Sequence, residues 1–79
     1  MGFMKITNKW DETFEIKVGD WVGFKSDIEQ EGKVKSIHRS RNTLIVENDY
    51  GFYGDYIGGD TEALISFEDA WELSSFECS

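Results

Sequence analysis

The spacing of apolar and polar residues predicts strands in the first two thirds of the chain. Residues 14–18 alternate apolar and polar side chains, which is the period of a half-buried strand. The Gly19-Asp20 pair has turn chemistry, and residues 21–25 then resume an extended pattern. Residues 43–47 carry β-branched side chains at three of five positions, which is typical of a strand. These runs indicate a β protein.

Shorter runs complete the predicted order of elements. The remaining strands are predicted at residues 3–7, 33–38, 63–66 and 71–73. A turn over residues 8–13 follows the first of them. Val34 and Ile37 are three residues apart, so we expect a bulge or a bend in their strand. A polar hairpin turn over residues 39–42 connects that strand to the next.

Two segments carry helix-capping patterns. Residues 26–29 read Ser-x-x-Glu, which predicts a single helical turn in the loop that follows the strand at residues 21–25. Residues 66–69 again place a serine before acidic residues, and an acidic first turn suits the positive end of a helix. The second pattern predicts a short helical turn before the last strand.

The segment from Asn48 to Thr61 concentrates most of the unusual chemistry. It holds all three tyrosines, one phenylalanine, four glycines and three aspartates, and it contains no basic residue. Six of its side chains are candidate binding residues: Tyr50, Phe52, Tyr53, Asp55, Tyr56 and Asp60.

Three roles for this segment stay open. In the first, Phe52, Tyr56 and Ile57 cap one end of the core while the glycines form turns. In the second, the rings contact a protein partner. In the third, the rings stack on a nucleotide-like molecule, while Asp55 and Asp60 accept hydrogen bonds from a ribose or a base edge.

Length and charge limit the class of protein. Seventy-nine residues form one domain, with residues 1–13 as an N-terminal extension and 74–79 as a flexible tail. The net charge is −8 and it is uneven: residues 1–46 hold eight basic and seven acidic groups, whereas 47–79 hold nine acidic groups and no basic one. Such a charge opposes binding to nucleic acid or an anionic membrane, and favours solubility or a basic protein partner.

The low number of cysteines and histidines argues against an enzyme or a metal protein. Cys78 is the single cysteine and His38 the single histidine, so no Cys-His or Ser-His-Asp set is readable. Asp27, Glu29 and Glu31 have the spacing of a calcium-loop opening, but His38 occupies the position that requires a bidentate glutamate. With no signal peptide and no apolar run of about 20 residues, we expect a cytoplasmic protein without a cofactor, a metal or a membrane contact.

A basic segment provides a second candidate surface. Lys33, Lys35, Arg39 and Arg41, together with His38, lie within nine residues of the predicted hairpin. Such a hairpin could contact phosphates of a nucleic acid or an acidic protein surface. Its charges could equally protect an edge strand from aggregation.

Two resemblances sharpen these expectations. Residues 17–22, 32–34 and 44–47 resemble the KOW-type members of the SH3-like barrels, in which a Gly-Asp turn starts the first barrel strand and a glycine precedes the second. Residues 19–22, 24–30 and 54–61 look similar to small proteins encoded by tailed bacteriophages, for which no activity is implied. The latter resemblance implies a bacterial host cytoplasm.

The prediction is therefore an all-β, five-stranded SH3-like barrel with one short helical turn before the last strand. The expected function is non-enzymatic: contact with a host or viral protein through residues 50–61 and the acidic surface. The alternatives are nucleic-acid contact through residues 33–41 and sequestration of a nucleotide-like molecule, and a homodimer also stays open. The predicted core consists of Ile16, Val18, Val22, Phe24, Val34, Ile37, Leu44, Val46, Leu64, Ile65 and Trp71.

Overall fold

The computed structural model describes residues 4–55 and 57–73, and within these residues every regular element is a strand or a 3₁₀ turn. The strands are β1 (Met4–Thr7), β2 (Thr13–Ile16), β3 (Trp21–Ser26), β4 (Ile28–His38), β5 (Thr43–Glu47), β6 (Glu62–Ser66) and β7 (Trp71–Glu72). The 3₁₀ turns are Arg39–Arg41 and Phe67–Asp69. The all-β prediction is confirmed. Among the described residues, no helix has the length and apolar character to cross a membrane.

The strands form two antiparallel sheets. The larger sheet has five strands in the order β6-β5-β4-β3-β7, so β6 and β7 are its edges. The smaller sheet pairs β1 with β2, with Met4 opposite Ile16 and Thr7 opposite Thr13. The predicted strand over residues 14–18 therefore belongs to the smaller sheet and ends at Ile16, while the N-terminal strand is present from Met4.

The predicted irregularity in β4 is present as a bulge. The register between β4 and β5 shifts between Val34 and Ser36, after which Ile37 lies opposite Leu44. A bulge adds one residue to one strand, so Val34 and Ile37 reach the same side of the sheet despite their spacing. Asn42 adopts a left-handed conformation (φ 56°) that closes the hairpin after Arg39–Arg41.

The helical turn predicted at residues 26–29 is wrong. Ser26 and Ile28 pair with each other at the end of a tight β3–β4 hairpin, and Asp27 between them has a φ of 70°. Aspartate tolerates this left-handed conformation better than most residues, so it can form the hairpin tip. Pairing along the whole of β3 outweighs the local capping pattern.

The second capping pattern is confirmed. Ser66 Oγ accepts a hydrogen bond from the Glu68 backbone N–H at 3.3 Å, and this starts the 3₁₀ turn Phe67–Asp69. The Phe67 ring is buried in the core. The turn thus fixes the start of the chain segment that leads to β7.

One core joins the two sheets. It consists of Ile6, Phe14, Ile16, Val22, Phe24, Val34, Leu44, Val46, Phe52, Ala63, Phe67 and Ala70, with Ile37 and Ile65 partly buried against it. Three predicted core residues do not belong to it. Val18 is exposed because it lies beyond the end of β2, and Leu64 is exposed because its neighbour Ala63 faces inward in the alternating strand. Trp71 packs on the opposite side of the sheet, over Gly23.

Candidate functional site

The aromatic loop (residues 48–61) is closed at its base by backbone hydrogen bonds. Asn48 N–H donates to the Thr61 carbonyl at 2.9 Å, and Phe52 N–H donates to the Asp60 carbonyl at 2.8 Å. Gly59 N–H in turn donates to the Phe52 carbonyl at 2.9 Å. These bonds hold the two arms of the loop together from its base to Phe52.

The middle of the loop docks on the tip of the β3–β4 hairpin. The Gln30 side-chain amide makes two hydrogen bonds to Tyr53, donating from Nε2 to its carbonyl and accepting at Oε1 from its N–H, both at 2.9 Å. The Asp27 carboxylate accepts a hydrogen bond from the Asp55 N–H. The loop backbone is therefore fixed to the sheet by two side chains of the hairpin.

Gly54 is required at the closest approach between loop and hairpin. Its φ is +115°, a conformation that side-chain-bearing residues rarely adopt. A Cβ atom at this position would also lie only 2.6 Å from the Ser26 carbonyl oxygen. Glycine thus allows the two backbones to meet.

The described rings of the loop divide between core and surface. Phe52 is 3% exposed and packs edge-on against Phe24, with ring centroids 5.3 Å apart and an interplanar angle of 76°. Tyr50 is 97% exposed and Tyr53 is 63% exposed. Tyr56 lies outside the described residues. Phe52 thus has the capping role that the sequence allowed, and the described tyrosines face solvent.

The acidic candidates of the loop also face solvent. Asp55 and Asp60 are both exposed. A cavity that reaches the loop through Ile57 has a volume of about 170 Å³. Drug-sized ligands and cofactors usually occupy cavities of roughly 300–1,000 Å³. This cavity is therefore smaller than those that usually enclose a ligand of nucleotide size.

The basic candidates do not form one uninterrupted cationic surface. Lys35 Nζ forms an ion pair with the Glu62 carboxylate on β6, and this hydrogen bond and charge raise the pKa of Lys35 above its ordinary value. Lys33 lies opposite Glu47 in the β4–β5 register. Arg39 and Arg41 are exposed on the 3₁₀ turn.

The acidic segment that resembled a calcium loop is part of a hairpin. Glu29 and Glu31 lie in β4, and the Asp27 carboxylate already accepts a backbone N–H. Within residues 4–55 and 57–73, no three Asp, Glu, His or Cys side chains gather where they could hold a metal ion.

A pair of tryptophans, of which Trp10 is exposed and Trp71 is half-buried, forms a second aromatic feature. Trp10, in the turn between β1 and β2, meets Trp71 of β7 edge-on with ring centroids 5.8 Å apart. Sequence patterns assign Trp10 no role, because its partner lies 61 residues away and only the fold brings the two rings together. The only local signal is a large aromatic residue in an otherwise polar turn.

Comparisons with protein-family models, with curated proteins and with solved structures gave no match to this chain. Its function must therefore follow from its own residues and geometry.

Proposed function

We propose that this chain is a small non-enzymatic binding protein that contacts another protein through the exposed part of the aromatic loop. The observation that carries the proposal is the contrast within that loop. Its backbone is fixed to the β3–β4 hairpin through Gln30 and Asp27, while Tyr50 and Tyr53 project into solvent.

Exposed tyrosines on a fixed loop backbone are well suited to protein contact. Tyrosine offers a large amphipathic surface with only two side-chain torsions to immobilise, so ordering it on binding costs little entropy. Prior fixing of the backbone lowers this cost further. Tyrosine is also enriched among the residues that dominate interface energetics.

The charge of the chain favours a basic partner. Residues 47–79 carry nine acidic groups and no basic one, and Asp55 and Asp60 are exposed beside the tyrosines. A complementary positive surface would accelerate encounter and fix orientation. We place the partner in the cytoplasm of a bacterial host, as a host or viral protein, in keeping with the resemblance to phage-encoded proteins.

We also propose that the fold is an SH3-like barrel. In its favour, β3 to β7 follow one another with short connections except for the aromatic loop, and a 3₁₀ turn precedes the last strand. The edge position of β7 beside β3 is compatible with the partly open barrels of this group.

The binding proposal is tested by capture and titration. Bacterial lysate is passed over the immobilised chain, the retained proteins are identified, and the affinity of the leading one is measured with purified components. Tyr50→Ala with Tyr53→Ala should weaken binding about 30-fold or more, as expected for a hot spot of roughly 2 kcal/mol. Trp21→Ala, an exposed ring on β3, is the matched control. An unchanged affinity of the double variant would refute the proposal.

Nucleic-acid contact is the second candidate, and the exposed Arg39 and Arg41 favour it. If only these two groups meet phosphates, binding should fall with salt at a slope of about −2 on logarithmic axes. A gel-shift series at low ionic strength measures this. Arg39→Ala with Arg41→Ala should abolish the shift, and a persistent shift would place the contact elsewhere.

A further inference from the structure

The turn between β1 and β2 holds Trp10 in a fixed place. Asn8 is a buried polar residue, and its Oδ1 accepts the N–H groups of Trp10 and Glu12, each at 3.0 Å. Its Nδ2 donates to the Ala70 carbonyl at 2.9 Å, directly before β7. The same side chain therefore shapes the turn and ties it to the strand that carries Trp71.

Trp71 is held from the other side by a close approach to the sheet. It pairs with Gly23 of β3, and a Cβ atom at Gly23 would overlap the Trp71 indole at Nε1. The indole thus lies against a position where no side chain fits. Together, the Asn8 contacts and the bare surface at Gly23 fix the edge-on geometry of the two rings.

An open cleft of about 400 Å³ lies at this tryptophan pair, and Trp10, Trp71, Glu12 and Glu29 line it. Both glutamates are exposed at its walls. Lys25 lies opposite Glu29 in the β3–β4 register, but the two side chains are not close enough to form an ion pair. The cleft therefore combines two aromatic surfaces with two carboxylates.

The chain itself already places a cation on this aromatic surface. Lys9 Nζ lies 5.1 Å from the centroid of the Trp10 ring while it pairs with Asp69 Oδ1 at 3.1 Å. An ammonium at this distance is attracted by the electron-rich face of the indole. Trp10 nevertheless stays 51% exposed, so it retains surface for a second contact.

We propose that the cleft lined by Trp10 and Trp71 binds an arginine side chain from a basic polypeptide segment. A guanidinium is planar, stacks on aromatic rings and donates to carboxylates in pairs, so it matches both chemistries of the cleft. A lysine ammonium is a strongly hydrated point charge and matches the ring surfaces less well. The net charge of −8 adds long-range attraction for a basic segment. This site is independent of Tyr50 and Tyr53.

The test uses a fluorescently labelled flexible peptide of Gly and Ser with four arginines, titrated into the full chain and followed by anisotropy. Trp10→Leu should weaken binding about three- to fivefold, the loss of one cation–aromatic contact at a partly exposed site. Glu12→Gln with Glu29→Gln should weaken it by at least a similar factor. In the native chain, Asn8 Nδ2 donates a hydrogen bond to Glu12 Oε1 at 3.0 Å. The amide oxygen introduced by Glu12→Gln can accept the same hydrogen bond, so the turn should stay folded.

Three controls separate this site from diffuse attraction. Glu15→Gln removes one negative charge, half of what the double variant removes, from an exposed position on β2 and should leave the affinity unchanged. A peptide with lysine in place of arginine should bind more weakly, and Tyr50→Ala with Tyr53→Ala should bind the arginine peptide normally. Three results would each overturn the proposal. They are an equal loss of affinity for Glu15→Gln and for Glu12→Gln with Glu29→Gln, equal affinity for both peptides, and wild-type affinity for Trp10→Leu with a native melting curve.

Discussion

Phe52→Ala tests whether the buried ring of the aromatic loop stabilises the fold while its exposed rings do not. The Phe52 ring is buried and packs edge-on against Phe24, so its truncation removes core packing rather than surface. The neighbouring rings of Tyr50 and Tyr53 belong to the same loop but face solvent. If Phe52 caps the core and the two tyrosines only face solvent, truncation to alanine should change the free energy of unfolding strongly at Phe52 and little at Tyr50 and Tyr53.

The expected magnitude follows from the burial of the ring. Truncating a buried phenylalanine to alanine costs roughly 3–5 kcal/mol of unfolding free energy, from lost transfer energy and a residual cavity. A chain of 79 residues has a total stability of only about 4–12 kcal/mol. At about 4–8 °C per kcal/mol for a domain of this size, the melting temperature of Phe52→Ala should fall by about 12 °C or more.

The assay is equilibrium unfolding in urea, with thermal melting as a second probe. Tyr50→Ala and Tyr53→Ala are matched controls and should change the unfolding free energy by no more than about 0.5 kcal/mol. Phe52→Leu keeps much of the apolar volume and should cost roughly 1–2 kcal/mol, so a measurable midpoint survives even if Phe52→Ala fails to fold.

Two results would refute this division. A loss below about 1 kcal/mol for Phe52→Ala would mean that the ring is not part of the cooperative core. A loss of about 2 kcal/mol or more for Tyr53→Ala would mean that an exposed ring carries stability, against the usual range for surface positions. Either outcome would also weaken the proposal that the tyrosines are held ready for a partner.

Three other contacts make separate predictions. Gly54→Ala should destabilise the chain by about 1–3 kcal/mol and speed hydrogen exchange of the loop amides, because it combines a left-handed φ with a backbone clash. Gly23→Ala should displace the Trp71 indole and change the near-ultraviolet dichroism of the tryptophan pair, whereas an unaltered spectrum would contradict the close approach. Lys35 should titrate above its ordinary pKa by NMR, and Glu62→Gln should lower that pKa, because Glu62 is the largest cause of the shift. Because folding raises this pKa, its contribution to stability is present below the ordinary lysine pKa and is lost as the pH rises through the folded value.

Local pattern predicted most elements of the larger sheet, but it missed the first part of β4, which begins at Ile28 rather than at residue 33. The extended run at residues 21–25 located β3, and β-branching at residues 43–47 located β5. The spacing of Val34 and Ile37 located the bulge in β4. These features depend on which residues of one strand face the core, and that information is present in the strand itself. The same logic explains why Leu64 could not join its neighbour Ile65 inside the sheet.

Local sequence patterns could not predict how the strands divide between the two sheets. Residues 14–16 alternate like any half-buried strand, but their partner is the N-terminal strand β1 rather than β3. The contact between Trp10 and Trp71 depends on that arrangement, because Asn8 bonds from the β1–β2 turn to Ala70. Pairings between segments so far apart in the chain are decided by the whole fold, and one sequence carries no local trace of them.

The wrong prediction at residues 26–29 bears directly on the candidate sites. A helical turn there would point Glu29 and Gln30 in directions about 100° apart, as successive residues of a helix with about 3.6 residues per turn. In the observed hairpin, successive side chains of β4 point to opposite faces. Gln30 therefore reaches the aromatic loop while Glu29 lines the tryptophan cleft on the other side. The tight hairpin at Asp27 is thus a shared support, and a change that lengthens it should weaken both proposed contacts at once.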